Sequence, residues 1–305
     1  MKSVRIPLHV RGTTLIEMLI AMTIGMVVVG AVMVSYLGSG QAARIQAAYS
    51  QMNQDAQIGL SILNREFQMA GYSAPSGLVQ DPLSAPGATP TFSLTYNLGT
   101  ATAVVGCGAG FVNPQSAGLV CTPAVGDPMP AFGVVYEADT RNTVATGGGV
   151  PTDCLGNGIP GVPPFFARNR YFINVGAGGS SELSCASDNP ISTPQPLLEN
   201  VLAMRVWYGV RVHPAPPPAP QPRQVSGYVT ASQLIAQGAA VDWNDVLSVR
   251  ICLLMRSSDA VLNAGTVDTL TYRDCDNNLV VPAAGDRFLH RAYFTTSTLR
   301  SRMGL

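Results

Sequence analysis

A long apolar run near the N-terminus constrains this chain more than any other feature. Residues 15–37 contain a single formally charged side chain, Glu17. As a helix, the run would be about 34 Å long at a rise of about 1.5 Å per residue, enough to cross the hydrocarbon core of a bilayer. The apolar segment of an ordinary secretory signal has only about 7–15 residues. The run is therefore predicted to remain in the mature protein as a membrane anchor.

The charges around this run indicate its orientation and single out one acid. Lys2, Arg5 and Arg11 precede the run and no acid accompanies them. Positive charge before an apolar span keeps that end of the chain in the cytoplasm. A carboxylate inside a membrane segment is costly and usually has a functional reason. Glu17 is therefore a candidate for a specific contact.

The helical pattern continues beyond the apolar run. Apolar residues recur every three or four positions, which is typical of one buried stripe on a helix: Ile45, Tyr49, Met52, Ala56, Leu60, Leu63, Phe67 and Ala70. No proline occurs between Thr13 and Ala74, and Gly71 is placed to end a helix. We predict one long helix over residues 13–71, apolar all round in its first half, with a flexible point at residues 38–40.

Beyond Tyr72 the sequence is typical of a β-rich head. Clusters of Gly, Pro, Asn and Ser separate short apolar runs. Predicted strands are residues 91–97, 133–138, 170–175, 201–210, 247–255 and 288–296, with 247–255 as the central strand. Thr230 is predicted to cap a short helix ending at Gln237, and residues 213–222 to form a polyproline loop. We predict an α+β fold in which the helix packs on an antiparallel β-sheet with long loop inserts.

Six cysteines lie in this head, none of them in a C-x-x-C pair: Cys107, Cys121, Cys154, Cys185, Cys252 and Cys275. An even number of scattered cysteines is typical of structural disulfides in an oxidising compartment, with free buried thiols as the alternative. Six cysteines allow 15 pairings. Short loops close most readily, which favours the sequence-local pairs 107–121, 154–185 and 252–275. Such pairs would staple the loop inserts.

Motifs for catalysis, metal binding or nucleic-acid binding are missing from the sequence. Charged residues make up 12% and the net charge is zero, unlike a basic nucleic-acid surface. The three histidines, His9, His213 and His290, lie in no hydrolase or zinc motif. Residues 274–278 begin like a calcium loop but lack its glycine and closing acid, so they predict a polar hairpin tip. We assign no catalytic residue, metal or cofactor.

The start of the chain resembles the class III signal of type IV pilins and pseudopilins. The resemblance is carried by Gly12-Thr13-Thr14-Leu15-Ile16-Glu17 and the apolar span that follows. It implies that a prepilin peptidase cuts between Gly12 and Thr13 and that the new amine on Thr13 is N-methylated. It also implies that Glu17 pairs with the terminal amine of a neighbouring subunit. The chain departs from the family pattern at Thr13, where phenylalanine is usual.

These features divide the chain into three parts. Residues 1–12 are a cytoplasmic leader, residues 13–71 the long helix with its transmembrane segment at 15–37, and residues 72–305 the head.

Three further segments narrow the resemblance to PilW-type minor pilins. Residues 60–72 resemble the segment that closes the helix in that family, and residues 243–256 and 291–300 are similar to its last strands. Residues 73–200 carry no such pattern. The resemblance implies a minor pilin that primes filament assembly and joins the tip complex, with the prepilin peptidase, other minor pilins, the major pilin and a PilY-type tip adhesin as partners.

The implied location is the bacterial inner membrane before assembly, with the head in the periplasm, and the pilus tip afterwards. Two alternatives remain open. One is a pseudopilin of a type II secretion or DNA-uptake machine, and the other, from a different class, is a membrane-tethered periplasmic enzyme.

Overall fold

The computed structural model describes residues 12, 14–73, 103–116, 118–123, 126–176, 180–189, 192–211, 224–238, 243–263 and 271–303. Helix α1, Leu15–Met69, is the longest element at 55 residues. At about 1.5 Å per residue it is about 82 Å long. Among the described residues it is the one helix long and apolar enough to span a membrane. It runs without interruption through residues 38–40, so the predicted flexible point does not break the helix.

The second half of α1 packs into the head along one face. Its buried residues follow the predicted three-and-four spacing: Ala48, Met52, Ala56, Gly59, Leu60, Leu63 and Phe67. Tyr49, predicted within the stripe, is 37% exposed, because Ala48 one position earlier takes the buried place. A methyl group added at Gly59 would lie 2.6 Å from the Leu198 side chain, so the helix and the head approach closely there.

The helix ends where the sequence predicts, through a glycine. Gly71 has φ +73°, a conformation that side chains other than glycine rarely adopt. Its amide donates a hydrogen bond to the carbonyl of Val135 at 2.8 Å. Ser301, in the short C-terminal helix Arg300–Met303, donates to the carbonyl of Ala70 at 2.6 Å. The end of α1 is therefore joined to two distant parts of the head.

The first part of the head forms a five-stranded antiparallel sheet in which sequential strands are neighbours. Its strands are β1 Val104–Cys107, β2 Ala131–Ala138, β3 Phe165–Val175, β4 Ser181–Ser187 and β5 Gln195–Glu199. Phe132 of β2 stacks between Tyr171 of β3 and Phe67 of the helix, with ring centroids 5.1 Å and 4.6 Å apart. This contact joins the sheet to α1.

The later part forms a four-stranded antiparallel sheet. Its strands are β6 Val201–Val210, β7 Gly227–Val229, β8 Val246–Arg256 and β11 His290–Thr298, with the two-stranded hairpin β9 Tyr272–Arg273 and β10 Leu279–Val280 beside it. The strand order is β11-β8-β6-β7, so β8 is interior, as predicted. Ile251 and Leu253 join the main core, whereas Cys252 and Leu254 form a second cluster on the opposite face. Burial on both faces explains why β8 is mostly apolar, with Arg250 as its one exposed residue.

One residue separates the two sheets. Strand β5 ends at Glu199 and β6 begins at Val201, with Asn200 between them at φ 60°. The Asn200 carbonyl accepts a hydrogen bond from the Arg256 amide at 3.0 Å. Asparagine tolerates this left-handed conformation better than most residues, so the chain can change sheets abruptly. The sequence predicted one sheet, whereas the described residues form a five-stranded and a four-stranded sheet and the two-stranded hairpin.

Three disulfides join the same sequence-local pairs that the sequence favoured. Cys107–Cys121, Cys154–Cys185 and Cys252–Cys275 close loops of 14, 31 and 23 residues. The predicted α+β class with stapled loop inserts is confirmed. A six-residue helix α2, Ala231–Ala236, begins at the predicted cap Thr230. The predicted strand at 91–97 and the polyproline loop at 213–222 lie outside the described residues.

The predicted polar hairpin tip is also present. The Asp274 carboxylate accepts hydrogen bonds from the amides of Asp276 and Asn278 at 2.9 Å and 2.8 Å. These bonds close the turn between β9 and β10. His290, beside them in β11, lies 3.4 Å from the carboxylate of Asp286 and stacks on Tyr272. The residues around 274–278 thus have structural partners.

Candidate assembly site on the long helix

The first half of α1 projects from the head with all its side chains exposed. Every residue from Leu15 to Gly40 is exposed, and the first buried side chain is that of Ala48. Leu15 and Met26 are 86% and 80% exposed although both are apolar. In a soluble protein, a contiguous apolar surface of this size marks an interaction site. The head therefore leaves this half of the helix free for lipid or another protein.

Glu17 lies in the first turn of the helix and bonds to the residue that caps it. The Thr14 hydroxyl accepts from the Glu17 amide at 3.3 Å, and Glu17 Oε2 accepts from the Thr14 amide at 3.3 Å. This reciprocal pair is a capping box, which satisfies two helix-terminal N–H groups. A negative charge is also favourable near a helix N-terminus. In the isolated chain, the lone acid of the apolar run thus has a partner on its own helix.

The predicted processing residues precede this cap. Gly12 is exposed, and a methyl group added there would meet nothing within 4 Å. Thr13 lies outside the described residues. The helix begins at Leu15, so the peptide bond between Gly12 and Thr13 is not part of it. The six cysteines belong to the head and contribute nothing to this end of the molecule.

The far end of α1 carries a half-buried acid, Glu66, to which the sequence alone assigned no role. Glu66 points into the head, where its carboxylate accepts from the Asn169 amide at 2.9 Å and from the Tyr136 hydroxyl at 3.4 Å. Part of the side chain remains accessible, but protein atoms enclose the carboxyl group. Asn169 also accepts from the Cys154 amide at 3.1 Å, so the network extends to a disulfide.

Burial gives Glu66 an unusual protonation behaviour. Desolvation raises the pKa of the Glu66 carboxyl, and the hydrogen bonds from Asn169 and Tyr136 offset that rise only in part. The pKa of Tyr136 is raised too, by burial and by the nearby Glu66. In the sequence, Glu66 is marked only by its place next to Phe67 of the apolar stripe, and Asp55 stands next to Ala56 in the same way.

Polar contacts fix the middle of α1 to the four-stranded sheet. The Tyr293 hydroxyl donates to Asn53 at 2.6 Å, and the Ser297 hydroxyl donates to the Asn64 carbonyl at 3.3 Å. Both donors lie on β11, so one strand follows the helix for about three turns. Together with the apolar stripe, these bonds hold the head on the second half of α1. The first half is free to enter an assembly while the head keeps its fold.

Comparison with protein families finds two matches, at opposite ends of the chain. Residues 8–33 match the prokaryotic N-terminal methylation motif, and residues 170–301 match the family described as type IV pilus-assembly protein W. The first segment contains Gly12, Thr13 and Glu17. The second begins in β3 and ends in the C-terminal helix.

The comparison with curated proteins gives no match. Among solved structures, the chain is similar to a type IV-like pilin from Thermus thermophilus at 15% identity. The alignment covers 82% of this chain and 97% of that one, with a TM-score of 0.37.

Proposed function

We infer that this chain, a PilW-type type IV minor pilin, works by packing with other pilins in a filament rather than by catalysis. The exposed first half of α1 carries the inference. Residues 15–40 are apolar apart from Glu17 and a few small polar side chains, and the head covers none of them. A surface of this kind must be buried in lipid or in other helices. The N-terminal methylation motif implies prepilin peptidase processing and pilin partners.

The proposed processing yields a mature chain that begins with N-methyl-Thr13. Its support is the exposed, non-helical position of Gly12 just before the helix. Gly12→Arg should block cleavage, because a bulky cation cannot occupy a small subsite before the cut. Gly25→Ala is the matched control, since a methyl group there also meets nothing within 4 Å. Intact mass measures the outcome, and cleavage of the Gly12→Arg variant after residue 12 would contradict the proposal.

The proposed topology places the N-terminus in the cytoplasm and residues 15–37 across the inner membrane. The three basic residues before the span favour this direction. The head would then fold in the periplasm, which agrees with its three disulfides. The anchor holds the chain in the bilayer until it is extracted into a filament.

Glu17 is proposed to exchange one partner for another during assembly. In the isolated chain, its carboxylate accepts from the neutral Thr14 amide. In the filament, the N-terminal amine of a neighbouring subunit would replace that donor. The amine carries a full positive charge, so its pairing with the carboxylate adds a Coulombic attraction that the neutral amide does not supply, which favours the exchange. Before assembly, the capping box provides a hydrogen-bond donor for the Glu17 carboxylate. In the filament, pairing with the neighbour's amine would fix the register between the two helices.

Three substitutions distinguish the capping role of Glu17 from the role of its negative charge. Glu17→Val removes both, whereas Glu17→Gln keeps a side chain that can complete a capping box. Thr23→Val is the control, because it removes another polar group from the same apolar segment. Both Glu17 variants should insert, be cleaved and fold, yet fail to co-purify with other minor pilins and reduce surface piliation at least tenfold.

The free energy of association lost in these variants should reach several kcal/mol, by analogy with a buried ion pair that has lost one partner. Normal co-purification and piliation in the Glu17→Gln variant would show that the cap alone matters and would overturn the proposed pairing.

The proposed role in the filament is initiation of assembly and membership of the tip complex. The family match over residues 170–301 supports this role, and a PilY-type adhesin is the proposed tip partner. Deletion of the chain should reduce the number of pili, and labelled head should be found at filament ends. Label spread along the shaft would contradict a tip position.

A further inference from the structure

A cleft between the helix and the head opens just beyond the end of the apolar run. Its volume is about 430 Å³. The helix contributes Gln41, Arg44 and Gln51 to its walls, and the head contributes Asp259, Val261 and Arg287. Small side chains between these helix residues leave room for a ligand. The assembly site on the first half of α1 does not include this cleft.

With residues 15–37 placed across the bilayer as proposed above, the near end of the cleft lies at the depth of lipid headgroups. Gln41 and Gln51 follow Leu37, the last residue of the apolar run, by about 6 Å and about 21 Å along the helix axis. The headgroup layer on each side of a bilayer is about 5–8 Å thick. Side chains on a helix lean towards its N-terminus, so Arg44 reaches back towards the membrane. The near end of the cleft therefore overlaps the headgroup layer of the leaflet that the head faces.

The charge of the cleft is positive. Arg44 is the first formally charged residue after Glu17 along the chain. Within the part of the chain that the structure describes, its guanidinium has no ion pair. Arg287 is the second cation, and Asp259 is the one acid on the walls. This excess of positive charge favours an anion.

The head holds its side of the cleft in place. Arg287 Nε donates to the Leu262 carbonyl at 2.6 Å, and the Leu262 amide donates to the Arg287 carbonyl at 3.0 Å. Gln41 on the helix donates to the carbonyl of Val261. These bonds fix one arginine and join the helix to the loop, so the cleft is formed before a ligand arrives. Pre-formed sites lose less entropy on binding.

We propose that this cleft binds the phosphate of an anionic phospholipid headgroup, with Arg44 and Arg287 as the cationic ligands. The proposal rests on the membrane anchoring described above and goes beyond the assembly function. Guanidinium groups bind phosphate oxygens in a bidentate geometry, and two of them flank the space. Bound lipid would seat the head against the bilayer surface, and extraction of the helix into a filament would release it.

The test uses the full-length chain in detergent micelles doped with either phosphatidylglycerol or phosphatidylcholine. Native mass spectrometry counts the lipids retained by the wild type, Arg44→Gln, Arg287→Gln and the double variant. Arg65→Gln is the matched control, an exposed arginine on the same helix outside the cleft. Each cleft variant should weaken phosphatidylglycerol binding about fivefold and the control should not. Circular dichroism confirms that each variant is folded.

Three outcomes would overturn the proposal: equal retention of both lipids, undiminished phosphatidylglycerol binding by the double variant, or a loss of binding in the Arg65→Gln control as large as in the cleft variants. Glu17→Gln separates the two proposals. That variant should bind lipid normally while failing to assemble, whereas the double arginine variant loses the lipid.

Discussion

The two halves of α1 share one continuous backbone and have opposite surroundings. From Leu15 to Gly40 every side chain is exposed, whereas from Ala48 onward one face is buried in the head. The sequences differ in the same way, since the first half is apolar all round and the second carries a single stripe. A stripe needs only one packing surface, whereas an all-round apolar surface needs lipid or a ring of other helices. The pattern therefore decides what each half can bind.

Because the two halves of α1 have different surroundings, substitutions in them should have different effects. Substitutions in the second half should change the free energy of unfolding of the head. Substitutions in the first half should leave that energy unchanged and affect insertion or assembly. Matched pairs of variants can test this separation.

The largest stability effect is expected at Phe67. Its ring packs on Phe132 with centroids 4.6 Å apart, and the side chain is fully buried. Phe67→Ala should lower the free energy of unfolding of the head by about 3–5 kcal/mol, because it removes apolar contact and leaves a cavity. Val28→Ala, in the exposed half, is the control and should change it very little. Denaturant unfolding of the full chain in detergent measures the free energy of unfolding of both variants. A similar decrease in the two would contradict the conclusion that only the second half of α1 stabilises the head.

The next largest effect concerns the disulfides of the head. Replacing Cys154 and Cys185 together by alanine should lower the free energy of unfolding by about 2–4 kcal/mol. The Cys107–Cys121 pair closes a loop of 14 residues rather than 31. Its removal should cost about 0.7 kcal/mol less, by the dependence of loop entropy on length. Membrane insertion should be unaffected by either change, and thiol counting on the denatured wild type should find no free thiols. Six reactive groups would contradict the disulfide framework.

The smallest effect compares the acids at the two ends of α1. The pKa of Glu66 is raised by burial, so the folded state holds its proton to higher pH than the unfolded state does. The stability contributed by protonated Glu66 is present below the usual carboxyl pKa and is lost as pH rises through the folded-state pKa. Glu66→Gln removes the titrating group and should flatten this fall in the free energy of unfolding.

Glu17→Gln provides the control for this experiment, because Glu17 lies outside the head. Its stability profile against pH should follow that of the wild type. The measurement is chemical denaturation of the head between acid and neutral pH. If Glu66→Gln keeps the wild-type slope, Glu66 is not the group responsible.

Local patterns predicted the long helix and five of the described strands, whereas β1, β4, β5, β7, β9 and β10 were not predicted. The stripe from Met52 to Phe67 and the helix end at Gly71 follow from spacing and glycine chemistry. The strands at 201–210 and 247–255 follow from apolar runs between turn residues. The cysteine pairs agree with closure of short loops. Each of these features depends on residues close together in the sequence.

The rest depends on contacts between distant residues. Asn200 permits the abrupt turn, but the change of sheet itself depends on the different neighbours that β5 and β6 pair with. The role of Glu66 depends on its hydrogen bonds with Asn169 and Tyr136, which only the folded chain places beside it. The cleft between Arg44 and Arg287 joins residues far apart in the chain, so no motif could have indicated it. Gly38 and Gly40 do not interrupt α1, because the helical hydrogen bonds around them outweigh the conformational freedom of glycine.

The unbroken passage of α1 through residues 38–40 makes the molecule a lever. About 48 Å of helix separate Leu37 from Met69, and the head is fastened along most of that length. Transmembrane helices commonly tilt by about 20°. Over the roughly 48 Å from Leu37 to Met69, such a tilt displaces the end of α1 sideways by about 16 Å. A small rocking of the anchor is therefore amplified into a wide sweep of the head above the membrane. Because no break in the helix separates its two ends, a change in the tilt of the membrane end also moves the head.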